Sequence, residues 1–191
     1  MDPYSPRMDS ILLAESVARS QIDAPLAAID LTEWLFTLSD QEYQACSTAH
    51  IAAGASRSDS GKRMSLNVER VGDTLLVQHY VEEIAERGLC RVQSISDSFA
   101  GGNRTTLAIT WQIEVKPISE TVCEFSNRVL VSSTSEFLEH LHKAGLSDLS
   151  IVRQGMSKNV EQHNHDETPL FARDIERKAV TGLWLPARVA K

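Results

Sequence analysis

Four stretches of the chain carry side chains able to do chemistry, and each has a plain structural alternative. His79 stands in the apolar run Leu75-Leu76-Val77-Gln78-His79-Tyr80-Val81. A neutral imidazole there can hydrogen-bond a ligand carbonyl or act as a general base; a hydrogen-bonded core histidine is the alternative. Asn127 shares a strand face with Phe125 and Val129. Burying an amide without partners costs roughly 1–3 kcal/mol, so a ligand, a water or His79 must satisfy it. Trp111 offers a flat apolar wall and an indole N–H that needs an acceptor, unless it is plain core. The segment His163-Asn164-His165-Asp166-Glu167-Thr168 concentrates two histidines and two carboxylates. His163 and Glu167 are four apart and share one face of a helix. They would hold a metal only with a further ligand from the sheet, such as His79, because zinc sites need three or four converging groups. Neither histidine lies in an HExxH motif, so no metal and no cofactor is assigned. A polar helix N-terminus, with Asp166 and Glu167 favoured by the dipole, accounts for the segment.

Other motifs are structural. Gly101-Gly102-Asn103 lacks the GxxxxGK[ST] context of a phosphate cradle and sits between two strands, so it reads as a hairpin turn. No GxSxG, no kinase-like set and no paired catalytic carboxylates are visible. Arg57, Lys62 and Arg63 form a small basic cluster at a solvated strand end. Cys46, Cys90 and Cys123 are odd in number and far apart with no CxxC pair, the pattern of buried reduced thiols.

The 191 residues carry 19 Lys plus Arg against 26 Asp plus Glu, a formal charge of −7. That balance argues against a general nucleic-acid binder. No apolar run approaches the roughly 20 residues of a membrane span. Ile11-Leu12-Leu13 is too short, and too interrupted by Asp9, Glu15 and Arg19, for a secretory segment, which places the protein in the cytoplasm.

These side chains must be positioned by elements legible in the hydropathy pattern. Leu26 to Leu38 has helical spacing. From 63 to 131 the period is two. Met64, Leu66 and Val68 share one face, as do Leu75, Val77, His79 and Val81. Leu107, Ile109, Trp111, Ile113 and Val115 form a third set, and Cys123, Phe125, Asn127, Val129 and Val131 a fourth. These sets are expected to line one apolar inner face of an antiparallel meander. Helical spacing returns at Ser135 and again from 149 to 180, where Pro169 predicts a kink or a fresh start capped by Thr168. The fold class is α+β: a curved antiparallel sheet of about six strands around a long C-terminal helical segment. Residues 1–19 read as an N-terminal arm, 20–180 as the domain and 181–191 as a C-terminal tail.

This order of elements, with Ile22-Asp23-Ala24-Pro25 as a first strand exit, resembles the START-like superfamily, which includes polyketide cyclases and Bet v 1-like (SRPBCC) proteins. Tyr43-Gln44-Ala45-Cys46, His50-Ile51-Ala52-Ala53-Gly54 and His163 to Pro169 also resemble segments of an uncharacterised bacterial family, which brings no activity with it. The START-like resemblance implies a helix-grip fold with an internal cavity for lipids, polyketides or aromatic compounds. The expected function is binding of a medium-sized hydrophobic molecule by Met64, Leu66, Val77, His79, Trp111, Phe125, Asn127 and Val129. One alternative is a cyclase- or hydrolase-type enzyme in which His79 moves a proton and Asn127 holds an oxyanion. The other is an interaction protein with a filled core, whose Trp184 and Leu185 contact a partner or a second copy in a homodimer.

Overall fold

A computed structural model describes residues 10–146 and 148–185. The chain order is β1 (Leu12–Ile22), α1 (Leu31–Thr37), α2 (Asp40–Ala45), β2 (His50–Arg57), β3 (Arg63–Val71), β4 (Thr74–Ala85), β5 (Leu89–Ala100), β6 (Asn103–Pro117), β7 (Cys123–Ser133), α3 (Ser135–Lys143) and α4 (Leu149–Val180). The strands make one seven-stranded antiparallel sheet in the order β1-β7-β6-β5-β4-β3-β2. Tight turns set the meander. The β5–β6 loop is Gly101-Gly102 alone, both at positive φ, the backbone that a two-residue hairpin needs and glycine adopts without a Cβ clash.

Helices cover one face. Trp34 of α1 meets Trp111 of β6 and Phe171 of α4 edge-on, with ring centroids 6.5 and 5.1 Å apart. Its indole N–H donates to Asp174 Oδ2 at 2.9 Å. Asp30 caps α1, and Ser39 with Glu42 forms a reciprocal capping box on α2. Lys178 bridges Glu42 and Asp174 at 2.9 and 3.2 Å, tying α2 to α4. The three cysteines are free and buried, as expected. Among the described residues no helix is long and apolar enough to cross a membrane.

The structure departs from the sequence reading in three places. Residues 12–19, expected in an arm, belong to β1 and pair with β7. Ala14, Ser16 and Ala18 are buried there on a flat face against α4; small residues give little strand signal but let a helix lie close. His50–Arg57 is a seventh strand, and its run Ile-Ala-Ala-Gly-Ala-Ser hides it for the same reason. Finally, α4 runs unbroken through Pro169. Pro169 and His165 are both exposed, so the turn that loses a hydrogen bond lies on the solvent side of the helix. Phe171, Ala172 and Ile175 bury the next turn and override the local preference.

Candidate functional site

The sheet's inner face has two halves of opposite character. On β6 and β7 it is apolar, as read from the sequence. On β3 to β5 it carries most of the buried polar side chains, Ser65, Asn67, Glu69, Gln78, Ser94, Ser96 and Ser98, beside the apolar Val71, Leu76, Tyr80, Cys90 and Val92. The serines of β5 leave space, and the β4–β5 ladder is interrupted between Val77/Asp97 and Val81/Gln93, where the His79 amide donates to Ser94 Oγ at 2.8 Å. A cavity with about 50 Å³ of water-accessible space lies between this half and α4. Leu76, Tyr80, Ile109, Trp111, Val129, Val131 and Phe171 make its apolar walls. Tyr43, Glu69, Gln78, His163, Asn164 and Glu167 make its polar side.

At that polar side four ionisable groups converge. His50 opens β2, and its ring stacks on the Tyr43 ring with centroids 3.7 Å apart. Its Nδ1 lies 2.7 Å from the Tyr43 carbonyl, which can only accept, so Nδ1 carries a proton and Nε2 points inward. That Nε2 is 3.0 Å from Glu167 Oε2 and 3.6 Å from Glu69 Oε2. His163 Nε2 is 3.1 Å from Glu69 Oε2 and 3.2 Å from Glu167 Oε2. The spacing of four along α4 puts His163 and Glu167 together on the face turned to the sheet.

Each carboxylate is oriented from behind. Gln78 Nε2 donates to Glu69 Oε1 at 2.8 Å, and the Tyr43 hydroxyl donates to Glu69 Oε2 at 3.0 Å. Asn127 Nδ2 donates to Glu167 Oε1 at 3.1 Å, while Asn127 Oδ1 accepts from the Trp111 indole at 2.8 Å. Every buried side-chain polar atom among the described residues has a partner. Burial disfavours charge on His163, but Glu167 and Glu69 outweigh it and raise its pKa. Burial likewise works against the Glu167 carboxylate, and His163 and His50 hold its pKa low despite it. Burial, with the Glu69 charge, pushes the Tyr43 hydroxyl up, so it remains a donor. The four inward atoms lie within 4.8 Å of one another and offer two nitrogens and two oxygens to a cation.

Of the eight residues expected to bind a ligand, Trp111 and Val129 line the cavity. Asn127 is buried behind it and satisfied by Trp111, Glu167 and Thr168 rather than by a ligand or His79. Phe125 is fully buried core. Met64, Leu66, Val77 and His79 lie on the opposite face. They pair there as Met64↔Val81, Leu66↔His79 and Val68↔Val77, while their neighbours Asn67, Glu69, Gln78 and Tyr80 face the cavity. His79 and Asn127 therefore do not converge, and the proton-transfer pair expected of them is not formed. Thr168 is mid-helix rather than a cap.

Sequence reasoning misses His50 because β2 gives no strand signal, and Glu69 because the hydropathy of its strand points to the opposite phase. The histidine–carboxylate pair on α4 is the available signal, and its partners have to be sought on polar strand faces.

No protein-family model matches the chain, and no curated protein matches it in sequence. Solved structures do. The Zhui aromatase/cyclase from Streptomyces sp. R1128 superposes with a TM-score of 0.61 at 8% identity, covering 86% of this chain and 94% of that one. The di-domain aromatase/cyclase StfQ of the steffimycin biosynthetic pathway gives 0.59 at 10% identity, over 89% of this chain and 52% of that one. TTHA0849 from Thermus thermophilus gives 0.50 at 12% identity, over 87% and 97%. With its curved antiparallel sheet and long C-terminal helix, the chain shares the helix-grip fold of these aromatase/cyclase structures.

Proposed function

We propose that this protein binds a hydrophobic small molecule bearing one hydrogen-bonding group, in the cavity between β3–β7 and α4. The observation that carries the reading is the cavity's division into apolar walls and a single polar side, the usual build of small-molecule sites. The apolar part of the ligand lies against Trp111, Val129 and Phe171. Its polar group meets His163 and Glu167. The aromatase/cyclase neighbours support aromatic compounds as the first class to test, and the START-like resemblance of the sequence adds lipids and polyketides.

The volume also favours a second reading. About 50 Å³ is less than the roughly 150 Å³ cavity that admits benzene. A ligand of the expected medium size must push the walls apart, whereas a protein that works through its surface can keep its core filled. Native mass spectrometry of the purified chain, followed by titration of aromatic and acyl compounds against Trp fluorescence, separates the two. Ligand binding predicts an adduct or saturable quenching that Ile109→Phe weakens at least about tenfold by filling the cavity. Absence of binding across the panel, or an unchanged affinity in Ile109→Phe, rejects the cavity and leaves the filled-core reading.

A further inference from the structure

We propose that His50, Glu69, His163 and Glu167 form a binding site for one divalent transition-metal ion, with zinc the best match. This goes beyond the ligand-binding reading and does not rest on it.

The geometry gathers four ligand atoms within reach of one ion. A tetrahedral centre with bonds of about 2.0–2.1 Å separates its ligand atoms by about 3.3 Å. Four of the six separations among His50 Nε2, Glu69 Oε2, His163 Nε2 and Glu167 Oε2, those between a nitrogen and an oxygen, are 3.0, 3.6, 3.1 and 3.2 Å, and all four atoms lie within 4.8 Å of one another. Two imidazoles and two carboxylates suit zinc. Magnesium and calcium prefer six or more oxygens, and thiophilic ions find no sulfur in the set.

The surroundings support the same assignment. Ligating histidines usually donate their other ring N–H to a carbonyl or carboxylate; His50 does so to Tyr43. Gln78 and Asn127 hold the outer oxygens of the two carboxylates, and the inner oxygens face one point, where Glu69 Oε2 also accepts from the Tyr43 hydroxyl. A divalent ion would also balance the charge of two buried carboxylates, Glu69 and Glu167. The cavity reaches three of the four ligands, Glu69, His163 and Glu167, so the ion would be accessible from that side.

The test uses the full chain, stripped with a chelator and reloaded with Zn²⁺ or Co²⁺. We expect one zinc per chain to survive gel filtration, and Co²⁺ to give the intense visible bands of four-coordination. Glu167→Gln and His163→Gln each weaken zinc binding by about 100-fold or more, and Gln78→Leu, behind Glu69, by about 10–100-fold. His142→Gln with His165→Gln, both exposed, changes nothing. The Co²⁺ spectrum of the unsubstituted chain keeps the proposal testable if a ligand variant fails to fold. Loss of all metal on gel filtration, a pale six-coordinate Co²⁺ spectrum, or zinc lost in the His142/His165 variant but kept in Glu167→Gln each overturns it. Ligand titrations on the stripped protein report on the cavity separately, so the two readings fail independently.

Discussion

The two halves of the inner sheet face divide the labour of the fold. On β6 and β7, Leu107, Ile109, Trp111, Ile113, Val115, Phe125 and Val131 are buried, Trp111 meets Trp34 and Phe171, and one amide, Asn127, interrupts the row. On β3 to β5 serine, asparagine, glutamine and glutamate share the buried face with Val71, Leu76, Tyr80, Cys90 and Val92. The apolar half supplies cohesion without direction. The polar half supplies direction, since each buried polar atom must find a partner. The lesson is that chemistry here sits where hydrophobic patterning is weakest, held in place by the half where it is strongest.

Substitutions that strike each half differently can break or sharpen this contrast. Phe171→Ala, in the aromatic cluster of the apolar half, is expected to lower unfolding free energy by about 3–5 kcal/mol, read by denaturant titration. A loss below about 1 kcal/mol would show that the aromatic cluster is not what holds α4 down. Asn127→Leu joins the halves: it strips Trp111 of its acceptor and Glu167 of a donor, at a cost of about 1–3 kcal/mol. A stabilised Asn127→Leu protein would mean that the polar link is dispensable.

Acid provides a milder probe away from the cavity. Burial alone would raise the Glu42 carboxyl, but hydrogen bonds from Ser39 and the Lys178 ammonium outweigh it and hold its pKa at about 2. Because the folded value lies below the ordinary glutamate value of 4.5, this contribution is complete above about pH 4.5 and fades as pH falls toward 2. After allowance for partial exposure it amounts to about 1 kcal/mol. Glu42→Gln should flatten that part of the stability–pH curve, and an unchanged curve would remove the α2–α4 tie from the account. The smallest effect is expected on the convex face. Leu66→Thr and His79→Ala should each shift stability by about 1 kcal/mol or less and leave ligand titrations unmoved. A large loss of ligand affinity in His79→Ala would reverse the assignment of faces.

The meander, its turns and the inner faces of β6 and β7 are legible because bulky apolar residues alternate there against polar ones. β3 and β4 are legible as strands but not in phase. Met64-Leu66-Val68 and Leu75-Val77-Val81 form an apolar row, and hydropathy assigns such a row to the core. In the structure that row is the convex face, and Asn67, Glu69 and Gln78 are turned inward because α4 brings His163, Asn164 and Glu167 to meet them. A pairing across about 90 residues leaves no local trace. β1 and β2 are shortened or missed because alanine, serine and glycine fill them. Pro169 misleads, since its effect on one exposed turn is small beside the burial of Phe171 and Ile175.

The unbroken course of α4 has a mechanical consequence. At 32 residues it is a rod about 48 Å long. His163 and Glu167 ride on the same shaft as Asp174 and Lys178, which grip Trp34 and Glu42 about two and three turns further on. Sliding the shaft by one turn would carry both pairs out of step at once. The assembly of the four ionisable groups and the mooring of the two short helices are therefore geared together, and a tug on either is felt by the other.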